Sequence, residues 1–170
     1  MGDEVLVVGV GNALRGDDGA GLEVVRRLRA RADSAGVGVR VLEGEGIGLL
    51  EAWEGARAVV LVDSVRTNAP PGAIHRIDVT DSPLPAALRS SSSTHAVGVG
   101  EAIELARALG RLPSRLVVYR VEGGRFETGA ALSRRWRRLS TVSRTRCSAR
   151  RAGWRPRSAG TRASSRSADP

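Results

Sequence analysis

The sequence predicts a three-layer α/β/α domain built on a mainly parallel, twisted sheet. Two segments, residues 4–10 and 58–62, are almost continuously apolar and rich in β-branched residues, which is typical of strands buried on both faces. Segments with apolar residues at helical spacing lie between the predicted strands. A chain of 170 residues suits one such domain.

The elements of the first half follow from the pattern of each segment. Residues 4–10 predict the first strand, which we expect at the centre of the sheet, and residues 11–18 form a loop rich in Gly, Asn and Asp. A helix is predicted from Gly19, because apolar residues recur there every three residues. The next predicted elements are a strand at 37–42, a short helix at 47–53 and a strand at 58–62 that closes on Asp63.

The second half continues the alternation after a Pro-Pro-Gly turn. The predicted elements are a strand at 73–79, a helical turn near 84–88, a helix at about 97–109 and a strand at 116–121. An α/β domain of this type closes with a helix that covers its last strand. From Ser133 onward neither a helical nor a strand pattern is present, so we expect that helix to be missing.

Charge is divided unevenly along the chain. The formal net charge is +9, but residues 1–132 hold fifteen arginines and seventeen acids, whereas residues 133–170 hold twelve arginines and one acid. The basic excess that would favour nucleic acid or anionic membranes therefore belongs to the tail alone. We expect an α/β domain over residues 1–132 and a disordered, Arg-rich, low-complexity tail over residues 133–170.

The tail has two competing interpretations. When Leu132 and the following residues are written in GC-rich codons, one base inserted after Ser133 gives a Ser-Pro start followed by valines at helical spacing. We hypothesise that a single-base deletion replaced the closing helix with the present tail. The rival interpretation is a genuine tail that binds RNA or membranes with strong salt dependence.

The sequence also indicates a compartment. No segment has the 18 or so consecutive apolar residues of a membrane span, and the N-terminus does not resemble a signal peptide. The single thiol, Cys147, can form neither an internal disulfide nor a metal-thiolate cluster. We expect a cytoplasmic protein with no membrane and no nucleic-acid partner.

The densest group of chemically informative residues is the glycine-rich loop from Gly9 to Gly21. Its start is similar to a dinucleotide fingerprint, but the third glycine of that fingerprint falls on Leu14, and Asp17 and Asp18 would repel a phosphate. One of these two acids is expected to cap the following helix, which leaves the other for a different task. A small-ligand or nucleotide-binding domain remains an alternative function.

Two further residues extend this group. Asp63 ends a buried parallel strand, where open α/β sheets place their binding crevice. His95 precedes a helix and becomes a metal-ligand candidate if it lies beside the acids, whereas His75 is interpreted as solvated. Two carboxylates and an imidazole suit nickel, zinc, manganese, cobalt or iron, with coordination positions left open.

These motifs together resemble one family. The quoted features are Gly9-x-Gly-Asn-x-Leu-x-x-Asp-Asp-Gly-x-Gly21, the apolar strand closing on Asp63, and Thr94-His95-x-x-Gly98 at a helix start. Over about residues 3–132 they are similar to the hydrogenase maturation proteases, the C-terminal processing endopeptidases of the nickel-iron hydrogenase large subunit. The family's Asp-Gly-Gly-Thr segment is replaced here by Glu43-Gly-Glu-Gly46.

The resemblance implies a function and roles for three residues. Asp18, Asp63 and His95 would form the nickel-recognising site, and Asp18 and Asp63 would be the catalytic candidates. The partner would be the large-subunit precursor, which carries the nickel that a monomeric protease recognises without keeping it. No G-x-S-x-G elbow surrounds Ser64, so a serine nucleophile is not predicted.

Overall fold

The architecture comes from a computed structural model that describes residues 4–44, 46–67, 69–88, 98–134 and 136. Five strands form one sheet in the order β2-β1-β3-β5-β4, in which β4 is antiparallel to β5 and all other pairs are parallel. The strands are β1 (Val5–Gly11), β2 (Gly38–Glu43), β3 (Ala58–Val65), β4 (Ile74–Asp78) and β5 (Arg115–Glu122). The predicted mainly parallel sheet is confirmed.

Helices cover both faces of this sheet. They are α1 (Ala20–Ser34), α2 (Leu49–Ala52) and α3 (Val99–Ala108), with short 3₁₀ turns at Gly16–Gly19, Gly46–Gly48 and Ala86–Leu88. On one face Leu61 packs in a cluster with Trp53 and Ile103, and on the other Val62 packs with Val25 of α1. Successive residues of β3 thus point into different apolar layers, which confirms the three-layer architecture.

The middle strand is β3, not β1. We expected residues 4–10 at the centre of the sheet, but β1 lies second, between β2 and β3. Both predicted strands are apolar for the same reason, since each has a neighbour on either side and helices on either face. Their patterns therefore could not show which one is central.

The glycine-rich loop owes several of its glycines to close packing. A Cβ added to Gly21 at the start of α1 would lie 2.5 Å from the carbonyl oxygens of both Val10 and Val62. Gly11 has a φ of +148°, and a Cβ there would overlap the carbonyl oxygen of Asp18. The motif lets α1 rest directly on the backbones of β1 and β3, which fixes the 3₁₀ turn against the ends of these strands.

The first residues beyond the predicted domain boundary pack into the domain. Trp136 is 3% exposed and lies in an apolar cluster with Ala20 and Val121, and the Ser133 N–H donates a hydrogen bond to Asp17 Oδ1. Arg134 and Trp136 are also helical, although a disordered tail without a helix was expected from residue 133. The rest of the tail, to which the predictions of disorder, a lost helix and a frameshift also apply, lies outside the described part of the chain. Within that part, no helix combines the length and apolar character that crossing a membrane requires.

Candidate functional site

The candidate site lies where β1 and β3 approach their carboxyl ends. The 3₁₀ turn after β1 carries Asp18, which is 9% exposed, and β3 carries Asp63, which is 4% exposed. We predicted that the strand would end at Asp63, but β3 continues to Val65 because Asp63, Ser64 and Val65 pair with β5. Asp63 is therefore held by rigid strand backbone on both sides.

Asp63 forms a buried ion pair with Arg120. The two residues are directly opposite each other in the β3–β5 register, and Arg120 Nη2 lies 2.6 Å from Asp63 Oδ2. Burial raises the pKa of Asp63, the Arg120 guanidinium opposes that rise, and the negative charge of Asp18 adds to it. Asp63 is a carboxyl group whose proton affinity exceeds that of an ordinary aspartate.

Asp18 reaches the same site from the other side of β3. The Ser64 hydroxyl donates a hydrogen bond of 3.1 Å to Asp18 Oδ1, and Ser64 follows Asp63 directly on the strand. Since the Asp18 charge contributes to the raised pKa of Asp63, these two predicted site residues act on each other electrostatically. The third predicted site residue, His95, lies outside the described residues.

Asp17 has a different task from the one predicted for it. Its Oδ2 accepts hydrogen bonds from the backbone N–H groups of Gly124 and Arg125, at 2.8 and 3.1 Å, and its Oδ1 accepts one from Ser133 at 2.8 Å. The described hydrogen bonds of the Asp17 carboxylate go to the segment after β5 and not to the first turn of α1. Asp17 instead ties the loop after β5 to the glycine-rich loop.

A fourth buried acid, Glu122, was not predicted from the sequence. Its carboxylate accepts hydrogen bonds from the Thr67 N–H at 2.9 Å and from the Thr67 hydroxyl, and it contacts His75 Nε2 at 2.9 Å. Burial alone would raise the pKa of Glu122, but the bonds from Thr67 and His75 outweigh it and lower the pKa. This group lies on the same face of the sheet as Asp63 and Arg120, because His75 pairs with Arg120 across β4 and β5.

The interpretation of His75 as solvated was wrong. We expected strand alternation to point His75 away from the apolar side, but its neighbour Ile74 is 57% exposed while His75 faces Glu122. Arg120 could have been identified as a site residue from the sequence, because it interrupts an otherwise apolar predicted strand. A charged residue in such a segment requires a buried counter-charge, and Asp63 was the acid already placed at that end of the sheet.

The described residues offer oxygen ligands but not a complete metal site. Within this part of the chain, no three His, Cys, Asp or Glu side chains are grouped so that they could hold an ion. Asp18 and Asp63 are carboxylates that influence each other electrostatically, and one oxygen of Asp63 is bonded to Arg120. These donors fit a divalent cation that brings other ligands with it, provided that Arg120 gives way.

The chain matches a known protein family. A model of the family described as "Hydrogenase maturation protease" matches residues 22–138. The "Hydrogenase expression/formation protein HupD" of Rhodobacter capsulatus is 33% identical over 119 residues, which are 68% of this chain and 55% of that protein. The protein of the same description from Thiocapsa roseopersicina is 34% identical, covering 70% and 54%. The chain thus spans about half the length of these curated relatives.

Solved structures share the fold. The hydrogenase maturating endopeptidase HybD from E. coli superimposes with a TM-score of 0.64 at 22% identity, covering 82% of this chain and 86% of that chain. This likeness concerns the arrangement of strands and helices. It confirms the predicted α/β fold class on an independent basis.

Proposed function

The chain belongs to the hydrogenase maturation protease family, and on that basis we propose that it is an endopeptidase that processes a nickel-iron hydrogenase large subunit. The proposed substrate is the precursor that already carries nickel, from which the enzyme removes a C-terminal peptide. The nickel is part of the substrate and serves as the recognition element. The proposed enzyme is a cytoplasmic monomer, which cell fractionation and size-exclusion chromatography test.

The observation that carries this proposal is the pair of buried acids at the carboxyl end of the parallel sheet. Asp18 and Asp63 come from different segments, each almost excluded from solvent, and the charge of one raises the pKa of the other. Burying two interacting acids destabilises the folded state, and folding does not need such a pair. Acid pairs of this kind cluster at functional sites. The place is also where α/β sheets bind their ligands.

Metal recognition is assigned to three side chains. We propose that Asp18, Asp63 and His95 approach the nickel of the precursor as additional oxygen and nitrogen ligands. Carboxylate and imidazole groups are suitable ligands for nickel, while the precursor supplies the others. Because the enzyme offers an incomplete ligand set, it would favour a precursor that is already loaded over an empty one.

Hydrolysis needs a group that handles protons, and Asp63 is the better candidate of the two acids. A raised pKa makes the Asp63 carboxylate a stronger base than an ordinary aspartate, so it can accept a proton from water and return it to the leaving amine. Ser64 is an unsuitable nucleophile, since it is buried and its hydroxyl already donates to Asp18. The proposed mechanism is therefore attack by water with carboxylate assistance.

Processing of nickel-loaded precursor tests the proposal. Asp63→Asn and His95→Ala are expected to reduce cleavage by about 100-fold or more, the scale of losing a general acid-base group or a metal ligand. Asp18→Asn gives a third measurement that leaves the Asp63–Arg120 ion pair in place. Asp81→Asn, at an exposed aspartate, is the matched control and should cleave normally.

Thermal unfolding of each variant is measured in parallel, because Asp63→Asn removes the partner of a buried arginine. A loss of cleavage with an unchanged unfolding temperature supports the site assignment. Normal cleavage by Asp63→Asn and His95→Ala together would contradict it. Equal cleavage of nickel-loaded and nickel-free precursor would remove the recognition role of the metal.

A further inference from the structure

Arg120 is a completely buried cation whose three nitrogens are in different situations. Nη2 donates to Asp63 Oδ2 at 2.6 Å, and Nη1 donates to the carbonyl oxygen of Leu88. Nε is buried and has no hydrogen-bond partner among the described residues. The guanidinium is thus held by one anion and one carbonyl, with a donor left over at the site.

The position of this cation coincides with the position proposed for a metal. Asp63 is a proposed ligand, and one of its two oxygens, Oδ2, is bonded to the guanidinium. Two positive charges at one buried carboxylate repel each other strongly because the surroundings screen them poorly. The guanidinium and a divalent cation therefore compete for Asp63.

We propose that Arg120 is the resident counter-cation of Asp63, which the metal of the precursor has to displace. This inference rests on the proposed function and adds a specificity-determining residue to it. A free metal ion gains only the ligands of the enzyme and must break the ion pair. A metal presented by the precursor brings the contacts of the whole substrate, which supply the free energy of displacement.

The free donor on Nε makes the displacement feasible. An unpaired buried N–H is unfavourable, so the Asp63–Arg120 arrangement is less stable than a fully bonded guanidinium would be. The pair places a positive charge directly against Asp63 in the free protein. The hydrogen bonding of Arg120 is also incomplete, since Nε has no partner among the described residues. Less free energy is therefore needed to displace the guanidinium.

Binding of free nickel ions is the first test. Isothermal titration calorimetry with Ni²⁺ is expected to show binding to Arg120→Met that is about tenfold tighter than to the wild type, a difference of about 1.4 kcal/mol. The gain should disappear in Arg120→Met combined with Asp63→Asn. The matched control is Arg107→Met, because Arg107 also donates to backbone carbonyls, those of Val79, Thr80 and Ser82. Equal or weaker binding by Arg120→Met overturns the proposal.

A second test uses the wild-type protein and does not depend on how well a variant folds. Cadmium is a diamagnetic divalent cation, so the arginine side-chain N–H signals can be followed by NMR during a titration with Cd²⁺. The Arg120 signals, assigned with Arg120→Lys, should move and lose protection from solvent exchange, while the Arg107 signals stay. Cd²⁺ that binds at the Asp63 carboxylate while the Arg120 signals stay unchanged overturns the proposal. Neither test involves cleavage, so a failure to process precursor would be recognised separately.

Discussion

Asp17 and Asp18 are neighbours in the chain, but their carboxylates bond to different parts of the molecule. Asp17 accepts three backbone hydrogen bonds from the segment after β5, whereas Asp18 accepts the hydroxyl of Ser64 on β3. Asp17→Asn should lower the free energy of unfolding by about 3 kcal/mol, because it weakens three charge-assisted bonds and turns an amide group toward backbone donors. Asp18→Asn should lower it by less, because the asparagine keeps a side-chain oxygen that can accept the Ser64 hydroxyl.

Denaturant unfolding of both variants measures this difference in stability, and precursor processing measures their difference in cleavage activity. Asp18→Asn should lose cleavage while it remains folded, and Asp17→Asn should keep it at temperatures where it is folded. If the two variants are equally destabilised, the separation into a structural and a functional aspartate is wrong.

Glu122 makes the stability of the protein depend on pH. Its pKa is lowered in the folded state, so its contribution is complete at neutral pH and is lost as the pH falls through the folded pKa. Thr67→Val removes the hydroxyl donor and should cost about 1 kcal/mol at pH 7. The difference between wild type and variant should begin to shrink below the ordinary glutamate pKa of about 4.3.

Urea unfolding at pH 7, 5 and 3 follows this difference, with Thr128→Val at an exposed position as the control. The raised pKa of Asp63 makes stability depend on pH in the opposite direction. This contribution is the same in the wild type and in Thr67→Val, so it cancels in the difference between them. A difference that stays constant down to pH 3 would show that the Thr67 hydroxyl does not act through the Glu122 charge.

The sequence indicated which acids matter but not how they are bonded. Asp18 and Asp63 were predicted because a loop after one buried strand and the end of another meet at one edge of a parallel sheet. The bond partners of Asp17 come from residues 124–133, and no local pattern shows such a distant contact. Glu122 and His75 meet only because β4 runs antiparallel beside β5.

Among the secondary-structure elements, α1 depends most on a single small residue. Gly21→Ala would place a methyl group 2.5 Å from two backbone carbonyl oxygens, and these strands have no room to move. We expect a loss of about 3 kcal/mol or more in the free energy of unfolding, as for severe overpacking. Gly48→Ala is the matched control, since its nearest neighbour is the flexible Leu42 side chain at 3.1 Å.

Thermal and denaturant unfolding give the stability of the two variants. They compare a methyl group placed against rigid backbone, at Gly21, with one placed against a flexible side chain, at Gly48. The control should change the free energy of unfolding by no more than about 1 kcal/mol. A mild effect of Gly21→Ala would mean that α1 can shift away from the sheet, and the glycines would then need another explanation.

The elements themselves were largely predictable, since apolar strands and amphipathic helices have different periods. All five strands and the three helices lie close to their predicted ranges, but the order of the sheet does not follow from local patterns. β4 is antiparallel at the edge, beyond β5, although it precedes β5 in the chain. Long-range pairing of this kind is decided by the packing of the complete domain.

At the scale of the whole molecule, the folded domain extends beyond its predicted C-terminal boundary. The predicted boundary was residue 132, yet Trp136 is buried and the family match extends to residue 138. We therefore propose that residues 133–138 stabilise the domain and that the remaining basic residues do not. The frameshift hypothesis places the division earlier, directly after Ser133, so a stabilising contribution from Trp136 counts against it.

Two truncated chains separate these contributions. A chain ending at residue 138 should unfold like the full chain. A chain ending at residue 132 should be less stable by about 3–5 kcal/mol, because it loses a large buried aromatic side chain as well as the Ser133 bond to Asp17. Trp136→Ala in the full chain should reproduce most of that loss without changing the length. If the chain ending at 138 is clearly less stable than the full chain, residues 139–170 belong to the folded domain and the frameshift hypothesis is untenable.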